Sequence, residues 1–205
     1  MIGIVDYGAG NLASVRNAFV QLEVEAAICD RPGLVQGYER IVLPGVGSFR
    51  QSMEALEGRG WAEALRTFAS SGRPLLGICL GMQLLFEHGQ ENGATDGLGL
   101  VRGEVRRLVP RPSEKVPHVG WNSLEVRKPH ALVAGVKQGV DFYFVHSYHG
   151  VPGDPDDTLA TCDFAGGFVA AIARRNVAGM QFHPEKSQPA GLRILKNFAE
   201  WEPSR

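Results

Sequence analysis

The chain has 205 residues, of which 44% are hydrophobic and 21% charged, and its formal net charge is −1. That length suits one globular domain, and so balanced a charge lacks the basic footprint of a nucleic-acid-binding protein. No run of about 18 apolar residues predicts a membrane span. The first residues also lack the basic start and long apolar stretch of a signal peptide. We therefore expect one cytoplasmic domain over residues 1–205, with no membrane or nucleic-acid partner.

The first half of the chain alternates short apolar runs with helical patterns. Strands are predicted over residues 2–6, 24–29, 40–43 and 74–78, and Pro44-Gly45 is expected to end the third strand. Asn11 can cap a helix with Phe19 on its apolar face, and further helices are predicted over 49–56, 61–69 and 81–86. This alternation is typical of βαβ units and of a parallel sheet covered by helices on both faces.

The second half changes character. Short strands separated by glycine and proline turns are predicted between residues 99 and 179, most clearly over 141–148, 168–174 and 178–182. A last helix is predicted over 189–201. The predicted fold class is therefore α/β, with an open, mixed but mainly parallel sheet flanked by helices and a mixed or antiparallel extension.

Several side chains are candidates for reactive chemistry. The cysteines Cys29, Cys79 and Cys162 are odd in number, and their spacing fits neither a disulfide framework nor a zinc site. We expect one reactive thiol and two buried structural ones, with no metal and no cofactor. His118 and His146 lie in aromatic-rich segments and fit a structural role as well as a functional one.

The sharpest motif is Gly-Ile-Cys-Leu-Gly at residues 77–81, which has the form of a nucleophile elbow with Cys79 in place of serine. The two glycines leave room for an abrupt turn from strand to helix, and the start of a helix favours a thiolate. By itself the motif fits a buried core cysteine about equally well. The apolar strand before it and the helical pattern after it favour the nucleophile.

A thiol nucleophile needs a base, and the base needs a group that orients it. Of the six histidines, His183 is the best placed, because it follows the apolar run 177–182 at a predicted strand end, where the sites of open α/β sheets lie. With Pro184 fixing an extended backbone, Glu185 would point to the same side as His183. Alone, His-Pro-Glu is more often a polar loop, but beside the elbow it predicts a Cys79–His183–Glu185 triad.

Acyl transfer also needs an oxyanion hole. Residues 44–47, Pro-Gly-Val-Gly, follow the third predicted strand and can supply a backbone N–H group, and the N–H of the residue after the nucleophile can supply another. A plain turn fits the same four residues, whereas a phosphate loop is unsupported because no Lys-Ser/Thr follows. The candidates are therefore this four-residue segment and Leu80, and the family resemblance described next implies Gly45, Val46 and Gly47 within the segment.

Residues 77–83 together with 183–185 resemble the triad class, or class I, of glutamine amidotransferases, whose fold is flavodoxin-like. Other stretches resemble one family within that class, the glutaminase subunits of imidazole glycerol phosphate synthase in histidine biosynthesis. These stretches are DYGAGNL (6–12), PGVGSF (44–49), PHVGWN (117–122), YFVHSY (143–148) and QFHPEKS (181–187). The resemblance extends along nearly the whole chain and shows no departure at the motif positions.

The resemblance implies a mechanism. Cys79 attacks the side-chain amide of glutamine and forms a γ-glutamyl thioester. His183 protonates the leaving ammonia and then activates water, while Glu185 orients His183. The residues expected to contact glutamine are Gly47, Gln83, Ser147 and Tyr148.

The resemblance also implies a partner, a (β/α)₈-barrel cyclase that joins the ammonia to an aminoimidazole carboxamide nucleotide. The expected interface residues are Pro117, His118, Gly120, Trp121, Asn122 and Lys186. Trp121 suits an interface anchor, although a core tryptophan fits the sequence too. Because glycines flank Val46, the peptide there can reorient, and we expect weak glutaminase activity without the partner.

Three other functions fit parts of this sequence. The chain fits an amidotransferase subunit of the anthranilate, aminodeoxychorismate or pyridoxal phosphate pathways, although residues 7–11 and 120–122 argue against these by resemblance. A stand-alone cysteine hydrolase would turn over without a partner and would not favour glutamine. A catalytically silent binding module would be expected to lack a triad residue, and all three triad residues are present.

Overall fold

The computed structural model describes residues 1–203, so the last two residues of the predicted domain 1–205 lie outside the described residues. The strands are β1 (Ile2–Val5), β2 (Ala26–Cys29), β3 (Arg40–Gly45), β4 (Leu75–Cys79), β5 (Phe86–Gly89), β6 (Thr95–Asp96), β7 (Val101–Arg107), β8 (His118–Ser123), β9 (Glu125–Val126), β10 (Asp141–His146), β11 (Tyr148–Pro152), β12 (Thr158–Cys162), β13 (Phe168–Arg174) and β14 (Val177–Met180). The α-helices are α1 (Leu12–Gln21), α2 (Phe49–Gly58), α3 (Trp61–Ser70), α4 (Leu80–Leu84) and α5 (Gln188–Glu200). Between residues 1 and 203, no helix combines the length and the apolar character that crossing a membrane requires.

The main sheet has eight strands in the order β2-β1-β3-β4-β14-β13-β12-β9. The first five strands run parallel to one another, and each of the last three runs antiparallel to its neighbour. The predicted open, mainly parallel sheet with an antiparallel extension is therefore confirmed. Asn11 caps α1 as predicted, since its side chain accepts a hydrogen bond of 3.4 Å from the backbone N–H of Ser14.

The core lies on both faces of this sheet. Along β3, Ile41 and Leu43 pack into one hydrophobic cluster and Val42 packs into the other. Such alternation follows from the period of two in a strand and explains why the strand is apolar throughout. Helices α1 and α5 contribute to the cluster on one face, and α2 and α3 contribute to the cluster on the other.

Two predicted boundaries were wrong for identifiable reasons. Pro44 and Gly45 do not end β3 but belong to it, pairing with Ile78 and Cys79 of β4. On the β1 side, the pairing stops at Val42, so the missing N–H of Pro44 interrupts no ladder. The helix predicted over 81–86 is shorter, because Phe86 already starts β5 and pairs with β7.

Two smaller sheets lie outside the main one. Strands β8 and β10 form an antiparallel ribbon, and β11, β7, β5 and β6 form a four-stranded sheet. The single strand predicted over 141–148 is divided at Ser147, because its first part pairs with β8 and its continuation pairs with β7. The chain thus passes from one small sheet to the other beside the carboxyl end of β4.

Candidate active site

Cys79 occupies a strained turn between β4 and α4. Its backbone has φ 55° and ψ −113°, a region that residues with side chains seldom adopt. The flanking glycines are required sterically. A Cβ on Gly77 would lie 2.6 Å from the backbone of Gly81, and a Cβ on Gly81 would lie 1.8 Å from the carbonyl oxygen of Leu43. The turn is therefore the nucleophile elbow that the motif predicts.

His183 and Glu185 form a buried pair. Nδ1 of His183 lies 2.8 Å from Oε1 of Glu185, and the two side chains are only 3% and 1% exposed. The extended segment expected between them is wrong, because Pro184–Lys186 is a 3₁₀ turn. Proline favours such a turn, since its fixed φ suits a first helical position. Glu185 thus reaches the imidazole by folding back towards it.

Electrostatics favour the imidazolium form of His183. Burial by itself lowers the pKa of His183, but interactions with the Cys79 sulfur and the Glu185 carboxylate outweigh it and raise the pKa to about 10. The other ring nitrogen, Nε2, is buried and has no well-formed hydrogen bond among residues 1–203. Glu185 therefore engages one nitrogen of His183, and the other is left to exchange a proton with Cys79 or a substrate.

Gln181 is a site residue that the sequence analysis missed. Its amide nitrogen lies 3.9 Å from the Cys79 sulfur, a weak hydrogen bond that supports negative charge on sulfur. Its amide oxygen accepts a hydrogen bond of 3.0 Å from Gln83, which also donates one of 2.8 Å to the backbone oxygen of Tyr148. Gln181 precedes His183 by two residues at the same strand end, and that spacing was the available signal.

Cys79 and His183 open into one cavity of about 410 Å³. It is lined by Val46, Gly47, Cys79, Leu80, Gln83, Glu91, Pro117, Val145, His146, Ser147, Tyr148 and His183. All four residues predicted to contact glutamine are in that set. Glu91 was not predicted; its carboxylate accepts a hydrogen bond of 2.7 Å from the N–H of Phe49 at the edge of the cavity. Among residues 1–203 no cluster of three or more His, Cys, Asp or Glu residues is arranged to hold a metal ion.

The predicted oxyanion residues surround Cys79 but differ in burial and in hydrogen bonding. Gly45 pairs with Cys79 across the strands and is buried, and Leu80 is the first residue of α4, so its N–H has no helical partner. Val46 is 46% exposed, and Gly47 has φ +96° with open space around it. In the described part of the chain, the N–H groups of Val46 and Gly47 donate no hydrogen bond. This segment, residues 45–47, is called the oxyanion segment below.

Comparisons with known proteins show the family to which the chain belongs. The sequence model of the family "Glutamine amidotransferase class-I" matches residues 3–201. "Imidazole glycerol phosphate synthase subunit HisH" of Wolinella succinogenes is 49% identical over 206 residues, covering 98% of this chain and 99% of that protein. The chain belongs to the HisH family of class I glutamine amidotransferases. HisH of Desulfitobacterium hafniense is 47% identical over 201 residues, covering 98% of this chain and 94% of that protein.

The fold of this HisH family member is shared with more distant structures. "Crystal structure of glutamine amidotransferase" superposes with a TM-score of 0.76 at 18% identity, and covers 97% of both chains. "Structure of PurLQS from Thermotoga maritima" superposes with a TM-score of 0.75, also at 18% identity and 97% of both chains. At such low identity, these likenesses establish the class I fold alone.

The β8–β10 ribbon presents an apolar surface beside the cavity. The exposed fractions of Val119, Trp121 and Val145 are 59%, 46% and 38%. Trp121 stands opposite Tyr143 in the ribbon, with ring centroids 5.7 Å apart, and the backbone oxygen of Val145 lies 3.9 Å from the Cys79 sulfur. The alternative of a core tryptophan is therefore wrong. These four residues are called the ribbon face below.

The remaining predicted interface residues of this HisH family member differ in accessibility. Pro117 and Lys186 are exposed, and Gly120 and Asn122 are half-buried. The amine of Lys186 lies 5.7 Å from the centroid of the Tyr143 ring. Pro117 lines the cavity, and Gly120 and Asn122 flank Trp121 in β8. These four residues, like Trp121, therefore lie at the ribbon face or the cavity. The sixth predicted interface residue, His118, does not.

His118 is the exception, because its side chain points inward and is 5% exposed. It stacks on Phe144 and Phe164 with centroid distances of 4.9 and 4.0 Å, and its Nδ1 lies 3.3 Å from Nε2 of His146. Alternation along the strand explains this orientation, since Val119 and Trp121 occupy the outward positions. Burial lowers the pKa of His118, and lowers the pKa of His146 to about 3. Both histidines are therefore neutral at pH 7, and the side chain of His118 is not available to a partner.

Proposed function

We propose that this chain hydrolyses L-glutamine to L-glutamate and ammonia with a Cys79–His183–Glu185 triad. One observation carries the proposal. A strained cysteine and an imidazole held by a buried carboxylate open into the same cavity. The cavity suits an amino acid, because the carboxylate of Glu91 can bind an ammonium group while the side-chain amide faces the sulfur.

The steps follow from the positions of the groups. The Cys79 thiolate attacks the amide carbon of glutamine, and the imidazolium of His183 gives its proton to the departing nitrogen, which leaves as ammonia. His183 then takes a proton from water, whose oxygen attacks the thioester and releases glutamate and the thiolate. Glu185 holds the imidazole in place and stabilises its charged form.

The negative charge that develops on the amide oxygen needs donors. Leu80 supplies one N–H from the start of α4, and the oxyanion segment supplies the other. We propose that the segment turns an N–H group of Val46 or Gly47 inward only in the complex, because the glycines flanking Val46 permit that rotation and no hydrogen bond among residues 1–203 holds these two N–H groups. The isolated chain would then hydrolyse glutamine slowly.

The proposed partner is a (β/α)₈-barrel cyclase subunit that uses the ammonia to make imidazole glycerol phosphate and an aminoimidazole carboxamide ribonucleotide. The ribbon face supports the proposal of a partner, since an exposed apolar patch marks an interaction site and an aromatic anchor is typical of an interface core. Ammonia released at Cys79 would leave next to this face and reach the cyclase without protonation in bulk water. We place the complex in the cytoplasm, where free thiols such as the unpaired Cys29, Cys79 and Cys162 are usual.

Glutamate release tests the proposed activity. The chain is mixed with the barrel cyclase and its nucleotide ligand, and Cys79→Ala is the control. We expect strong release that requires the partner and vanishes in the variant. Release without any partner dependence would keep the triad and reject the proposed complex. No release, with both proteins folded and bound, would reject the activity and favour a silent binding module.

Binding measurements test the proposed interface. We expect Trp121→Ala to weaken association with the cyclase roughly 30-fold or more, as for an interfacial aromatic anchor, without loss of stability. Val20→Ala is the matched control, because Val20 is 59% exposed on α1, away from the ribbon. Equal affinities for the two variants would reject the ribbon face as the docking surface.

A further inference from the structure

Tyr7 carries a buried hydroxyl that the triad does not use. The residue follows β1 at the carboxyl edge of the sheet, and its side chain is 0% exposed. Among residues 1–203, the hydroxyl has no hydrogen-bond partner of good geometry. A buried polar atom without a partner destabilises a protein, and native structures contain few of them. The atom therefore needs an explanation.

The hydroxyl lies against the oxyanion segment. A Cβ placed on Gly45 would be 3.0 Å from the Tyr7 oxygen and 2.7 Å from the N–H nitrogen of Gly81 in the elbow. Tyr7 does not line the substrate cavity. Its hydroxyl therefore contacts Gly45 on the side of the strand that faces away from the cavity. Any side chain at position 45 would separate the tyrosine from the strand.

The hydroxyl is a donor at every physiological pH. Burial raises the pKa of Tyr7 to about 12, with a smaller opposite effect from neighbouring Ser52 and a further increase from the charge of Cys79. The phenol is near the nucleophile, because Gly45, which its hydroxyl adjoins, pairs with Cys79 across the sheet. A protonated phenol beside a backbone strand can donate to a carbonyl oxygen but has none within reach in this conformation.

Rotation of the oxyanion segment would supply that acceptor. In a trans peptide, the N–H and C=O groups point in opposite directions. Turning an N–H group of the segment toward the substrate therefore turns the carbonyl oxygen of the same peptide away from the cavity, to the side where Tyr7 lies. The buried carbonyl would then need a donor.

We infer that Tyr7 is a positioning residue, whose hydroxyl donates to a carbonyl oxygen of the oxyanion segment once the segment has turned its N–H groups toward the substrate. The inference rests on the proposed function and adds a residue to it. Tyr7 touches neither glutamine nor the reacting atoms. Its contribution is to stabilise the productive orientation relative to the resting one.

If Tyr7 had a purely structural role, Tyr7→Phe would change the stability of the free chain in the opposite direction. If the hydroxyl served the resting fold through a hydrogen bond with Ser52, Tyr7→Phe would destabilise the free chain, and Ser52→Ala would do the same. If the hydroxyl has an acceptor only in the rotated segment, Tyr7→Phe removes an unsatisfied polar atom from the free chain, which then keeps or gains stability.

The experiment measures Tyr7→Phe and Ser52→Ala in the free chain and in the complex with the cyclase and its nucleotide ligand. For Tyr7→Phe we expect an unchanged or higher midpoint of thermal unfolding, an unchanged KM for glutamine and a kcat of the complex lowered about three- to tenfold, the size of one neutral hydrogen bond. For Ser52→Ala we expect no change in kcat.

Partner-stimulated hydrolysis by the unaltered chain is measured alongside, and its absence would reject the proposed function itself. If the unaltered chain is stimulated, an unchanged kcat of Tyr7→Phe, or parallel destabilisation of both variants, would overturn the inference alone.

Discussion

On one side of Cys79, the elbow and the His183–Glu185 pair are buried and held by defined contacts. On the other side, the oxyanion segment is exposed at Val46 and Gly47, and the N–H groups of these two residues donate no hydrogen bond among residues 1–203. The two sides are adjacent strand ends of one sheet. Their difference therefore comes from local sequence and packing, and not from distance to the core.

This difference indicates which step a partner can control. In the proposed mechanism, the groups for attack and proton transfer already have their positions, whereas one donor for the developing negative charge still has to rotate into place. Loss of a single oxyanion donor costs about 2.7–4 kcal/mol of transition-state stabilisation in a well-studied protease. A partner that orders only three residues can therefore change the rate substantially without moving the triad.

The largest effect is expected from Gly81→Ala on the rigid side. Its Cβ would lie 1.8 Å from the carbonyl oxygen of Leu43, and backbone must move to relieve that contact. We expect the free energy of unfolding to fall by about 4 kcal/mol or more, as for severe overpacking, measured by urea titration. Gly33→Ala is the control, because a Cβ there meets nothing within 4 Å. Equal stabilities for the two variants would contradict a sterically required elbow.

The next largest effect is expected from Glu185→Gln. The variant keeps the shape of the side chain but loses the charge that stabilises the imidazolium. We expect kcat to fall roughly 10²–10³-fold, less than the roughly 10⁴-fold loss for the acidic residue of a serine-protease triad, because a thiol ionises more easily than a hydroxyl, while KM for glutamine changes little. A kcat close to that of the unaltered complex would remove Glu185 from the triad.

The same variant has a defined pH signature. Glu185 is one of the groups that raise the pKa of His183 to about 10, so its loss lowers that pKa. The imidazolium needed to protonate the leaving group then disappears at a lower pH. We expect the alkaline limb of kcat/KM to move to lower pH in Glu185→Gln, and a limb that stays in place would contradict the electrostatic coupling.

The smallest effect is expected from Gly47→Ala in the oxyanion segment. A Cβ there meets nothing within 4 Å, but φ is +96°, which a residue with a side chain adopts only with strain. Because the segment can relax, we expect the free energy of unfolding to change by less than about 1 kcal/mol. A displaced N–H donor should lower kcat of the complex roughly tenfold. If this variant were as unstable as Gly81→Ala, the contrast between the two sides would be lost.

Much of the site could be predicted from local sequence. The elbow at Cys79 needs two glycines at defined positions, and His183 with Glu185 follows an apolar strand, so motif and spacing were sufficient to nominate them. Their catalytic roles, like the extent of the single domain, stay predictions. Gln181 and Glu91 were missed, because neither lies in a pattern that distinguishes a site residue from a polar residue at a strand end or loop.

The sequence by itself determined the alternation of apolar strands and helices, the mainly parallel sheet, the elbow and the family, because each depends on short-range periodicity or on a contiguous motif. Only the tertiary structure decided that Trp121 lies outside and His118 inside. Side chains alternate along each strand of the ribbon, but which set faces the core is known only when one face is packed. It also decided that Glu185 reaches His183 through a turn, and that the hydroxyl of Tyr7 lies buried behind Gly45. These contacts join residues far apart in the chain or depend on backbone angles, and no local pattern specifies them.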